Sequence, residues 1–318
     1  MPSSLSPAAS ARRRALRSRL VRGSLLALAT LAACVGGDPV TLARLAAIAA
    51  TILAVLYACI ALHELGHVIG GLLVGFRFEC CAVGPLSVSR HGRRLRLSLA
   101  AGVPLTGGLA RCVPDDDRAL RWRKAAMVAA GPIASLTCSA LACLLLQRLG
   151  YDRSDARDFG AWWRRCPEAV AAAGSLAIFV ATTVPSRAAG AHTDGGTLRA
   201  LLMGGPAADR HCALLAVAAA SRRGAPPREW RTEWILRATA LRDGSQHEEW
   251  ACLLACMWAV DRGDAALSRT LAARALAACP AQAPGGPSRA RRTWLQAILG
   301  EDLSTVPNRS KARHAGRE

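Results

Sequence analysis

Two histidines four positions apart bracket a carboxylate in His63-Glu64-Leu65-Gly66-His67. On a helix, positions i and i+4 share a face, so both imidazoles can reach one metal ion. Glu64 sits one residue along, close enough to take a proton from water at that metal and to return it to a leaving amine. The chemistry this suggests is metal-assisted hydrolysis of a peptide bond. The pattern is short and arises by chance in soluble proteins. Here it interrupts the apolar stretch from Leu45 to Phe76, where three ionisable side chains are costly unless they act. The bland alternative is a polar patch bonding to neighbouring helices, which gives no reason for this spacing.

Two histidines leave a catalytic zinc one protein ligand short, with water in the open position. Asp194 is the best candidate for the third. It opens Asp194-Gly195-Gly196 beyond another apolar run, and the glycines let the backbone approach closely. An Asp-Gly pair alone reads as an ordinary turn; a chain already holding the histidine pair reverses that judgement. His192, two residues away, could be a ligand, support the site or face solvent. A glutamate as third ligand is the competing arrangement, with Glu168 the one to test against Asp194. Neither it nor any later glutamate stands in a second helix motif near a span.

The elements that must position these residues read as membrane spans. Leu45 to Phe76 exceeds the roughly 20 residues a bilayer requires, so it tilts or emerges into the cytoplasm. Ala125 to Leu146 is a second uncharged run of spanning length, and Ala169 to Pro185 a shorter third. Residues 24–36 are apolar and follow a segment, 1–22, with six arginines and no acid. They read as a first short span with a cytoplasmic N-terminus, or else as a signal segment cleaved before Cys34. About four transmembrane segments result. Ser186 to Gly196, rich in glycine, is not expected to be regular helix.

Between the first two long runs the period changes. Leu86 and Val88 alternate with serines, Arg90-His91-Gly92-Arg93 supplies a turn, and Leu95, Leu97 and Leu99 alternate again. This predicts a short β-hairpin. Arginines throughout 77–124 put that segment in the cytoplasm and leave 147–168 outside. The hairpin either pairs with an extended substrate strand or lies on the membrane surface.

After Pro206 nothing is long enough to span. Trp250, Leu253, Leu254, Met257 and Trp258 recur at helical spacing, Asp261 to Asp264 turns, and Leu267, Leu271, Ala275 and Leu276 mark a second helix ending at Pro280. The pair resembles one tetratricopeptide repeat, but a single unit supports only a generic helical hairpin. The expected molecule is mostly α: a basic cytoplasmic N-terminus (1–22), a polytopic transmembrane metalloprotease core (23–205) and a soluble helical region with a flexible basic tail (206–318).

The bulk properties agree. With 52% hydrophobic residues and a net charge of +19, the chain fits either a nucleic-acid binder or a membrane protein with basic cytoplasmic segments. The arginines flank the apolar runs and no nucleic-acid module is recognisable, so no nucleic acid is expected as a partner. The twelve cysteines include no Cys-x-x-Cys pair. They read as small buried residues in a reducing compartment, not as a zinc ribbon or disulfide framework.

His63, Glu64, His67, Asp194 and Gly195, with Gly131-Pro132-Ile133-Ala134 between them and Pro185 before the Asp-Gly pair, resemble the site-2 protease family of intramembrane metalloproteases. The resemblance covers roughly residues 45 to 205. It implies one zinc ion per chain held by His63, His67 and Asp194, with Glu64 catalytic. The family often has asparagine where this chain has Thr182 and Ser135. Each replacement offers a hydroxyl and loses an amide's two donors, which touches substrate positioning more than zinc binding.

The expected function is zinc-dependent hydrolysis of peptide bonds in membrane-embedded or membrane-adjacent proteins. The expected location is a bacterial cell membrane, multi-pass, with both termini cytoplasmic. The C-terminal helices could hold a protein partner. The alternative is a non-enzymatic membrane scaffold with a structural metal and the same partner-binding helices.

Overall fold

The computed structural model describes residues 39–92, 94–99, 107–148, 159–188, 191–278 and 289–300. The expected span at 24–36 and the basic tail after Asn308 lie outside the described residues. Among the described residues, three helices are long and apolar enough to cross a membrane: α1 (Pro39–Leu73), α2 (Leu120–Arg148) and α3 (Phe159–Thr183), the last over Cys166–Thr183. Only 6% of the apolar window of α1 is buried against protein, and Leu62, Leu65 and Ile69 stay exposed. In water such a surface would be strongly unfavourable; against lipid it is the expected exterior.

Small residues bring these helices together. A Cβ on Gly66 would lie 2.6 Å from the Ala130 carbonyl oxygen, and one on Gly70 2.4 Å from Ala130 Cβ, so α1 and α2 meet nearly backbone to backbone. On α3, Gly174 gives room to Leu56 of α1. The Ser139 hydroxyl of α2 donates to Ala172 O of α3 at 2.9 Å. Close approach and interhelical hydrogen bonds drive association where lipid removes the hydrophobic contrast.

The expected hairpin is present as β2 (Leu86–His91) and β3 (Arg94–Leu99), paired Leu86 with Leu99 and Val88 with Leu97. It belongs to a larger antiparallel sheet with β1 (Phe76–Val83) and β4 (Gly108–Pro114), in the order β3-β2-β1-β4. Leu86, Leu95, Leu97 and Leu99 are all exposed.

After α3, β5 (Arg187–Ala188) pairs with β6 (Ala191–His192), and α4 runs from Asp194 to Met203. Here one expectation fails at its end. Ser186 to Ala188 and Ala191 to Thr193 are irregular or extended, but Asp194, Gly195 and Gly196 form the first turn of a helix. Thr193 is its N-cap, its hydroxyl accepting from Gly196 N, and Asp194 adds an acid in the first turn. Cap and acid outweigh the glycines' entropic cost.

The C-terminal region comprises α5 (Pro206–Arg222), α6 (Thr232–Ala240), α7 (Gln246–Asp261), α8 (Ala265–Ala278) and α9 (Arg289–Gly300). The expected helix pair is α7 and α8. Its core joins Cys252, Cys256 and Leu271 to Trp230, Ile235, Leu295 and Ile298. Ala216 of α5 packs with Phe76, Cys112 and Met127, which seats the region on the sheet and α2. Asp115, between β4 and α2, takes Arg222 of α5 at 3.1 Å and Arg77 of β1 at 2.6 Å.

Candidate metal centre

α1 presents His63, Glu64 and His67 on consecutive turns, 4%, 8% and 7% exposed. α4 brings Asp194 to them from 131 residues away along the chain. Asp194 Oδ2 lies 3.1 Å from His63 Nε2 and 3.3 Å from His67 Nε2. Among the described residues this is the one group of three or more His, Cys, Asp or Glu side chains placed to hold a metal ion, with all ligand atoms within 4.8 Å of one another.

The far side of each ring is anchored. His63 Nδ1 lies 2.9 Å from Ser135 Oγ, and His67 Nδ1 lies 3.0 Å from the Met127 carbonyl oxygen, both on α2. A carbonyl only accepts, so His67 Nδ1 carries the proton. In the neutral ring Nε2 is then a lone pair aimed at a carboxylate oxygen, an arrangement that calls for a cation between them. The spacing suits one. A tetrahedral site with bonds of about 2.0–2.1 Å has edges of about 3.3–3.4 Å, close to the two His–Asp separations. Burial opposes ionisation of Asp194, but when the rings are protonated their hydrogen bonds and charge outweigh it and hold the carboxyl down at about 2. The donor set, two imidazoles and one carboxylate, is the kind zinc takes when a position stays open.

Three glycines make the convergence possible. A Cβ on Gly131 would fall 2.3 Å from the His67 ring. On Gly195 it would meet Thr183 O, at the end of α3, at 1.7 Å. On Gly108, the first residue of β4, it would meet Glu64 Oε1 at 2.2 Å. Thus α2, the end of α3 and an edge strand each touch the site through a missing side chain. The strand beside Glu64 is β4; the β2–β3 hairpin lies on the far side of β1. The Glu64 carboxylate takes no hydrogen bond among the described residues.

Of the residues expected around the site, Ser135 is in contact with His63. Thr182 points its hydroxyl at Phe179 O of its own helix, 3.4 Å away. Glu168 stands on α3 outside the group of three. His192 is in β6, and its side chain lies outside the described residues. Sequence reasoning missed Met127 O and Gly108. A backbone carbonyl has no residue signature, and the approach of β4 depends on sheet order.

Residues 51–221, just over half of the chain, match the family model described as Peptidase family M50. The chain belongs to this family, the site-2 protease family, whose members are membrane metalloproteases. The chain matches no curated protein and no solved structure.

Proposed function

We propose that the protein is a zinc-dependent endopeptidase acting on membrane-embedded or membrane-adjacent protein segments. The observation that carries this reading is the His63–His67–Asp194 group, with Glu64 beside it, inside a helix long enough to span. His67 is six residues from the end of α1, about 9 Å along the axis, on the end that carries the sheet. Bound zinc supplies Lewis acidity, which polarises a peptide carbonyl and makes water nucleophilic near neutral pH. Ser135 and Met127 O hold the rings so that both Nε2 atoms face Asp194. Glu64 accepts the proton from the attacking water and passes it to the leaving amine.

A helix hides its carbonyls, so the substrate must extend locally. Gly108 places β4, an edge strand among the described residues, beside Glu64, where an extended segment could add as a further strand. A purely structural zinc fits less well: structural sites are closed by four protein ligands, and three converge here. We further propose a bacterial cell membrane location, with the N-terminus, residues 77–124 and the chain after Pro206 in the cytoplasm.

The test is Glu64→Gln in the purified full-length protein. The amide cannot accept the water's proton, so cleavage of a peptide substrate should fall by at least about 100-fold with zinc content unchanged. Turnover within a few-fold of the parent would remove Glu64 from the chemistry.

A further inference from the structure

The proposed chemistry leaves two arginines unused, Arg121 and Arg123, in the first turn of α2. Two positions apart, they project about 200° apart around the helix axis. Arg123 reaches the C-terminal end of α1: its Nε donates to Val74 O at 2.6 Å and its Nη2 to Gly75 O at 2.8 Å. Arg121 reaches the C-terminal end of α4: its Nε donates to Leu201 O and its Nη2 to Leu202 O, the latter at 2.6 Å. Each recipient helix is followed by a glycine in the left-handed region, Gly75 at φ 76° and Gly204 at φ 78°. A Cβ on either would stand 3.0 Å from a nitrogen of the guanidinium that caps it. The glycine therefore serves both the turn and the arginine's approach.

The two arms are matched in reach. Val74 follows His67 by seven residues, and Leu201 follows Asp194 by seven. Each clamped carbonyl is thus about 10 Å along its helix from a metal-facing side chain. Capping by cations is common and favourable at helix C-termini. Such cations usually come from the last turn of the same helix. Here a third helix supplies both, and the two helices it joins carry the two halves of the ligand set. α4 is only ten residues long, so its orientation depends on what holds its ends. Thr193 holds one, donating to Val184 O at 2.8 Å; Arg121 holds the other.

Resting on the metal centre proposed above, we propose that Arg121 and Arg123 are positioning residues. Together they form a two-armed clamp on α2 that sets the distance between the histidines of α1 and the aspartate of α4. Metal sites tolerate errors of only about 0.2 Å in ligand distance, so the clamp should govern metal affinity and coordination geometry.

Cobalt(II) titration of the full-length protein in detergent tests this, read by the visible d–d bands and by zinc competition. Arg121→Met should weaken metal binding about 10–100-fold, the range seen when groups behind a ligand are lost. It should also shift the cobalt bands, with thermal unfolding of the metal-free protein little changed. Arg121→Lys keeps the charge with one donor nitrogen in place of two and should fall between the two. Arg237→Met, which removes an exposed salt bridge to Glu233 within α6, should match the parent. Parental affinity and spectrum in Arg121→Met would overturn the clamp. So would an affinity loss that merely tracks lost stability of the metal-free protein. If Arg121→Met does not fold, Arg121→Lys decides, and parental affinity and spectrum there would overturn it. Failure of the parent itself to bind cobalt or zinc would instead overturn the metal centre.

Discussion

At the scale of single residues, the site depends on what is absent as much as on what is present. Gly131 leaves the space that the His67 ring occupies. Gly131→Ala should push that ring off Asp194 and weaken zinc binding at least about tenfold; metal analysis after dialysis against graded chelator would measure it. Ser135→Ala removes the partner of His63 Nδ1 without adding bulk, and should cost about 10–100-fold in affinity. Parental zinc retention in both variants would mean that the rings need no support from α2. The three residues of the group that could hold a metal were legible in the sequence. Helical spacing pairs His63 with His67, and Asp194 follows an apolar run beside two glycines. What supports them was not: Met127 acts through its carbonyl, and Gly108 touches Glu64 only because β4 flanks β1.

At the scale of elements, hydropathy exposed the three long helices and alternation exposed β2 and β3. β1 stayed hidden because a register shift between Phe78 and Cys80 breaks its period. α4 stayed hidden because its two glycines argue for a loop until Thr193 is recognised as a cap. In the C-terminal region, buried polar groups shape the loop before α7. Arg210, 3% exposed, donates to Asp243 Oδ1 at 2.8 Å and to Ser245 Oγ at 3.0 Å. Arg274 meets Glu248 at 2.6 Å. Burial works against ionisation of Asp243, but hydrogen bonds from Arg210 and Ser245 prevail and hold its carboxyl at about 2, below the usual 3.8. A carboxyl depressed by folding contributes stability that is complete above its unfolded value and lost as pH falls through its folded value. The helical region should therefore lose stability as pH falls from about 4 to about 2. Asp243→Asn should lower stability at pH 7 by about 1–2 kcal/mol and flatten that part of the profile. Tryptophan fluorescence during denaturation would report both, and an unchanged profile in the variant would contradict the role given to Asp243.

At the scale of the whole molecule, a membrane core and a helical region meet at the loop between β4 and α2. Arg222 and Arg77 bind Asp115 there, and Arg231 binds Asp117 at 3.4 Å. This arrangement puts the sheet and α5 on one side of the membrane. The proposed orientation makes that side cytoplasmic, as the basic flanking segments favour. Single cysteines at Ser154 and Ser221, in a background cleared of reactive thiols, should label from outside and from inside respectively; external labelling at Ser221 would reverse the orientation. More basic than orientation is the proposed metal centre, in which two imidazoles and one carboxylate hold the ion and one position stays open. Zinc K-edge absorption of the purified protein tests it most directly. The expected result is one zinc per chain with only nitrogen and oxygen neighbours at about 2.0–2.1 Å, two of them imidazole. A sulfur shell at about 2.3 Å, as cysteine ligation would give, or protein that binds no zinc, would contradict it.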